Sequence, residues 1–198
     1  MDYFCCLAEF LLLSGVLSSS SSSSFWPFVA EIARYKFDQC IRLKDPRGLQ
    51  GKQVTLTSLP PLEMFIKQTV IDSNTPLPNL FIALVYLDRF GAKLAAKVNG
   101  AYDSRHRIFL ACLVVACKFL NDVAYKNGYW SALWREFTVD DVNLMERELL
   151  VILNFDLTIL PKDIENLMRR YFRADEARRL EQTLFSHQPW YNSSSRAS

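Results

Sequence analysis

The stretch Arg105–Leu120, RHRIFLACLVVACKFL, holds ten consecutive apolar residues from Ile108 to Cys117. A membrane-spanning helix needs about 20 such residues, so this run is too short to cross a bilayer. A helix that is apolar on every side belongs in the middle of a bundle, with other helices packed round it. The flanking sequence supplies those helices. Upstream, Pro60-Pro61 opens a segment with Leu62, Phe65, Ile66 and Val70 at helical spacing, and it closes at Asp72-Ser73-Asn74. Proline suits a first helical turn because its missing N–H would be unpaired there anyway. Thr75-Pro76-Leu77-Pro78 then leads into NLFIALVYLDRFGAKLAAK, whose Leu80, Leu84, Leu87 and Leu94 form one face before a break at Asn99-Gly100. Downstream, Asn127-Gly128 marks a second break and Tyr129–Phe137 a short segment. Thr138 is placed to cap the next helix, with Asp140 and Asp141 in its first turn and Val142, Met145, Leu149, Ile152 and Leu153 as its apolar stripe. Pro161 opens a last helix through Phe172 and on toward Phe185. No strand alternation persists, so the fold class is all-α, with five core helices and flanking helices at both ends.

Four regions follow. Residues 1–24 hold an apolar stretch, Tyr3–Leu17, and a run of seven serines, Ser18–Ser24. The stretch carries Glu9 and lacks a positive leader, so neither a membrane span nor a signal peptide is expected, and the serines read as a flexible linker. Residues 25–58 give a helix over Phe25–Leu43, with Phe28, Ile32, Tyr35 and Ile41 at helical steps, docked on the outside of the domain. A Pro/Gly-bearing loop follows it. Residues 59–157 are the main domain, and 158–198 a C-terminal helix and tail.

The 198 residues are 50% hydrophobic and carry 23 Lys+Arg against 21 Asp+Glu, which excludes a disordered chain and a strongly basic nucleic-acid tail. Five cysteines show no C-x-x-C spacing and only two histidines exist, so no metal site is expected and the thiols read as free, in a reducing intracellular setting. No phosphate-binding glycine loop is present. The acidic pairs Asp140/Asp141 and Glu146/Glu148 read as a helix first turn and an exposed face, not as paired catalytic carboxylates. Nothing marks an enzyme, and no cofactor is expected.

Lys118 ends the apolar run, and Glu146 follows apolar Met145 one long helix later. With the third and fifth helices side by side, the two side chains would meet at one edge and offer a donor and an acceptor to a partner.

Three stretches in register resemble the cyclin box, the five-helix domain of cyclins: LVYLDRF at Leu84–Phe90, HRIFLACLVVACKFLND at His106–Asp122, and LMERELLVILNFDL at Leu144–Leu157. The KFLND run, the YKNGYWS that follows it, and SNTPLPNLFIALVYLDRF resemble more particularly the fungal Pcl-type cyclins, which activate a phosphate-responsive cyclin-dependent kinase. The resemblance implies a regulatory subunit, not itself an enzyme, that pairs one to one with a cyclin-dependent protein kinase in the nucleus or cytoplasm. It implies that Lys118 and Glu146 grip the backbone at the kinase's regulatory helix, and that Val115, Phe119, Leu150 and Phe155 supply apolar contacts. It also sets departures. The first box helix, PPLEMFIKQTVIDSN, lacks the Met-Arg-Ala-Ile-Leu substrate-docking motif, and the chain after Leu157 is short for a second box. Two other readings stand beside this one. One is a transcription-factor-like cyclin fold binding DNA through Arg169, Arg170, Arg173, Arg178 and Arg179, although Asp175, Glu176 and Glu181 interleave with them. The other is a truncated paralogue without a partner.

Overall fold

In the computed structural model, which describes residues 22–43, 59–94, 98–101 and 103–171, the apolar run forms the central helix. The elements in chain order are α1 (Ser22–Cys40), β1 (Ile41–Leu43), α2 (Leu62–Asp72), α3 (Leu77–Lys93), β2 (Val98–Gly100), α4 (Ser104–Leu120), α5 (Asn127–Leu133), α6 (Val139–Ile152) and α7 (Pro161–Tyr171). Every residue of α4 from Phe109 to Cys117 is buried, and Val114 is 0% exposed. Helices α1, α2, α3 and α6 pack round it. Each large apolar side chain so buried contributes about 1.5–3 kcal/mol, which makes α4 the energetic centre of the fold.

The flanking helices bury the stripes their sequences predict. These are Phe65, Ile66 and Val70 in α2, Leu80, Leu84 and Leu87 in α3, and Val142, Met145 and Leu149 in α6. Helix α6 starts as expected. The Thr138 hydroxyl accepts from the Asp141 N–H, and the Asp141 carboxylate accepts from the Thr138 N–H, a reciprocal capping box.

Four expectations are corrected. Helix α1 is part of the core, not docked outside it. Its buried stripe is Trp26, Val29, Ala33, Phe37 and Cys40, while Tyr35 is exposed. Ion pairs Lys36–Asp88 and Asp38–Arg105 tie it to α3 and α4. Residues 41–43 are not helical. They pair in parallel with β2, Ile41 opposite Val98 and Leu43 opposite Gly100. Gly100 is required there, since a Cβ would lie 2.5 Å from Ile41 Cγ2. Third, α3 stops at Lys93, short of the periodic stretch that continues to Lys97. Asn127-Gly128 likewise opens α5 and does not merely break the chain.

The apolar stretch and serine linker lie outside the described residues, except that α1 takes in the last serines. Among the described residues no helix is long and apolar enough to cross a membrane.

Candidate functional site

Lys118 and Glu146 meet. The Lys118 ammonium lies 2.7 Å from both carboxylate oxygens of Glu146, with the side chains 32% and 17% exposed. Two links steady the turn of α4 that carries Lys118. The Thr75 hydroxyl contacts the Cys117 thiol at 3.8 Å, and the buried Asn79 amide donates to Asn121 Oδ1 at 3.3 Å. On α6, Met145 and Leu149 face inward, which sets Glu146 at the edge facing α4. A second tie joins the same two helices, since the Arg107 guanidinium donates to Asp141 at 2.9 Å. The Thr138 hydroxyl, with Arg107 and the Thr138 N–H, holds the Asp141 carboxyl at about 2.

A third residue joins the pair that sequence reasoning did not single out. Asn127 Nδ2, at the start of α5, donates to Glu146 Oε2 at 2.6 Å and to Asn143 Oδ1 at 2.7 Å. Its own Oδ1 is buried and accepts no hydrogen bond. Glu146 therefore accepts three hydrogen bonds, and Lys118 keeps one of its three N–H donors. The only signal in the sequence is the Asn-Gly pair, which reads as a turn. Beside the cluster runs an open groove of about 700 Å³, lined in part by Lys118, Asn121, Tyr125, Lys126, Asn127 and Val139. Tyr125 stacks on Tyr129 at 3.9 Å between ring centroids.

The apolar candidates divide. Phe119 is 45% exposed and Phe155 66% exposed, and Leu150 is half-buried. Val115 is 2% exposed and faces the core, so it leaves the set of surface contacts and instead helps anchor α4 beneath Phe119. Leu150 and Phe155 belong to one device. Helix α6 ends in a Schellman motif, in which the Asn154 N–H donates to the Val151 carbonyl at 3.0 Å and the Phe155 N–H to the Leu150 carbonyl at 2.9 Å. That motif sets these two apolar positions together at the helix end. Both Asn154 (φ 55°) and Phe155 (φ 54°) are left-handed. Asparagine tolerates this region. Phenylalanine does so at a cost of about 1–3 kcal/mol, a strain that persists only where surrounding structure enforces it.

No group of three His, Cys, Asp or Glu side chains converges among the described residues. Of the arginine run after residue 168, Arg169 is exposed, and those at 173, 178 and 179 lie outside the described residues. Chemically the arrangement is a hydrogen-bonded charged pair at the edge of α4 and α6, with Phe119 exposed beside Lys118 in α4 and Phe155 exposed at the end of α6.

A buried central helix ringed by four others, with a lysine at its end paired to a glutamate on the last, is the architecture of a cyclin box. The profile of the family described as "Cyclin, N-terminal domain" matches residues 33–158, a span that opens inside α1, and the chain belongs to that family. It is 36% identical over 145 residues to PHO85 cyclin-1 of Saccharomyces cerevisiae, covering 70% of this chain and 52% of that protein. It is 41% identical over 106 residues to PHO85 cyclin-9 of the same yeast, covering 53% and 35%. It is 31% identical over 142 residues to Cyclin-U4-1 of Arabidopsis thaliana, covering 72% and 64%. The chain thus spans about half the length of PHO85 cyclin-1, and less of PHO85 cyclin-9. No solved structure matches it.

Proposed function

We propose that this chain is the regulatory subunit of a cyclin-dependent protein kinase, which it binds one to one through α4 and α6. The observation that carries this reading is the Lys118–Glu146 pair at the surface edge of those helices, with Phe119 and Phe155 exposed on the same two elements or their ends. The names of its yeast relatives, cyclins of PHO85, support it. The mechanism is docking of a preformed face. The chain contributes no catalytic group. Contact with the kinase's regulatory helix turns that helix inward and brings its Lys–Glu ion pair and activation loop into working geometry. The exposed rings supply most of the affinity, and the remaining donor of Lys118 fixes register against backbone.

The test is capture of cyclin-dependent kinases from the source organism by the purified full chain, followed by a kinase assay. Lys118→Ala and Glu146→Ala should each weaken capture by at least about tenfold, because each removes a hydrogen bond from a charged group to the partner's backbone, worth about 1.5–3 kcal/mol. Melting should hardly move, since such a pair contributes about 0–1 kcal/mol to folding. A well-folded wild type that captures no kinase, and that binds duplex DNA with a steep salt dependence, would replace this reading with the DNA-binding one.

A further inference from the structure

The backbone that follows Phe155 is held from a distance by α3. Arg89 Nη1 donates to the Asp156 carbonyl at 3.1 Å and Arg89 Nη2 to the Thr158 carbonyl at 2.8 Å. Between them, the Tyr86 hydroxyl donates to the Leu157 carbonyl at 2.9 Å. Three successive carbonyls are thus gripped by two side chains about one helical turn apart on α3. The grip is itself anchored. Arg89 Nη2 is 2.9 Å from Asp163 Oδ2, and the same oxygen accepts the Leu160 N–H at 2.8 Å at the start of α7. Tyr86 is 0% exposed, and the Arg89 side chain is 22% exposed. Both fix the segment that leaves the left-handed pair Asn154–Phe155. Two left-handed residues in a row without a glycine persist only where the surroundings over-determine them. The helix-closing bonds of α6 constrain the turn from one side, and this carbonyl grip constrains it from the other.

We propose that Arg89 and Tyr86 are positioning residues for kinase binding, holding the turn so that Phe155 is presented in its docking geometry. The inference rests on the reading of Phe155 as a kinase contact. Its physical content is a population argument. A turn that is free to relax spends less time in the competent form, and the apparent dissociation constant rises by the inverse of that fraction.

The experiment is a titration of the full-length chain against the cyclin-dependent kinase that the wild type captures, with variants compared singly and in pairs. Arg89→Ala should weaken binding about tenfold and Tyr86→Phe about threefold, as expected for a competent fraction reduced to a tenth or a third. Added to Phe155→Ala, Arg89→Ala should cause no further loss, because the side chain it presents is gone. Added to Lys118→Ala, it should cause its full tenfold loss. Hydrogen exchange at the amides of residues 154–158 should quicken in Arg89→Ala while that of α4 stays unchanged. A merely structural role predicts something else, a loss that multiplies equally in both backgrounds, and that result overturns the inference. So does wild-type binding by Arg89→Ala or, should that variant not fold, by Tyr86→Phe. Wild-type binding by Phe155→Ala would instead overturn the contact reading beneath the inference, and the inference with it.

Discussion

Helices α2 and α6 stop in the same way and are used in opposite ways. Each closes on an asparagine in the left-handed region, Asn74 at φ 48° and Asn154 at φ 55°. Each makes the same pair of backbone bonds: Asn74 N–H to Ile71 and Thr75 N–H to Val70 in one, Asn154 N–H to Val151 and Phe155 N–H to Leu150 in the other. The next side chain makes the difference. Thr75 is buried, and its hydroxyl bonds Ser73 Oγ at 2.5 Å and reaches Cys117 in the last turn of α4. Phe155 is exposed and carries a left-handed backbone of its own. The inward stop is a polar wedge that steadies the end of α4 below Lys118. The outward stop accepts strain and displays an aromatic ring. One stop signal can tuck the next side chain into the core or leave it on the surface, and the residue that follows it selects which.

The harshest way to break this comparison is to remove what the inward stop leans on. Val114→Asp places a carboxylate in the fully buried face of α4. Its cost rivals the roughly 5–15 kcal/mol that holds a domain together, so far-ultraviolet circular dichroism should show loss of most ordered helix. A cooperative melt near the wild-type temperature would show the placement of α4 to be wrong. A sharper test compares Asn74→Ala with Asn154→Ala. Alanine in the left-handed region costs about 1 kcal/mol more than asparagine, so both midpoints should fall by about 2–4 °C. Only Asn154→Ala should also weaken kinase capture, and equal weakening by Asn74→Ala would erase the distinction between the stops. The smallest effect concerns the opposite end of α6. The folded state holds the Asp141 carboxyl at about 2, below its ordinary 3.8. A depressed carboxyl stabilises the fold fully above about pH 4, and that contribution disappears as pH falls toward 2. Because the group is partly solvated, the amount is a few tenths to about 1 kcal/mol. Thr138→Ala, which removes the largest cause of the shift, should flatten the acid limb of a denaturant titration series.

Much of this architecture was legible because it is local. Ten apolar residues in a row could only be the buried α4, and Thr138 three residues before Asp141 announced the cap of α6. The meeting of Lys118 with Glu146 followed once those two helices were placed side by side. What escaped was set by distant partners. The sequence stripe chosen for α1 included Tyr35 and missed Trp26, Ala33 and Phe37, because which face of that helix is inner depends on α2 and α3. The three-residue strands are too short to show alternation, and their pairing joins residues far apart in the chain. Asn127 looks like turn chemistry until α5 brings it to Glu146. Asn154 is a residue that tolerates the left-handed region, but nothing in the sequence signals that Phe155 shares it, since that conformation is enforced by bonds made elsewhere in the fold. Val115 sits one helical turn before Phe119 and shares its apolar character, and only packing shows that one is hidden and the other displayed.

The small parallel ladder between β1 and β2 bears on how the chain is born. Of the described elements, synthesis delivers α1 and β1 before the others, yet the strand that receives β1 emerges only after α2 and α3, and the central helix later still. Until α2 and α3 have emerged, the stripe of Val29, Ala33 and Phe37 has none of its main neighbours to lie against. Closing so long a loop for three residue pairs is entropically costly until the bundle already exists. The ladder is therefore among the last contacts to settle, and α1, made before the helices it packs on, waits with its apolar face open to other chains and to chaperones.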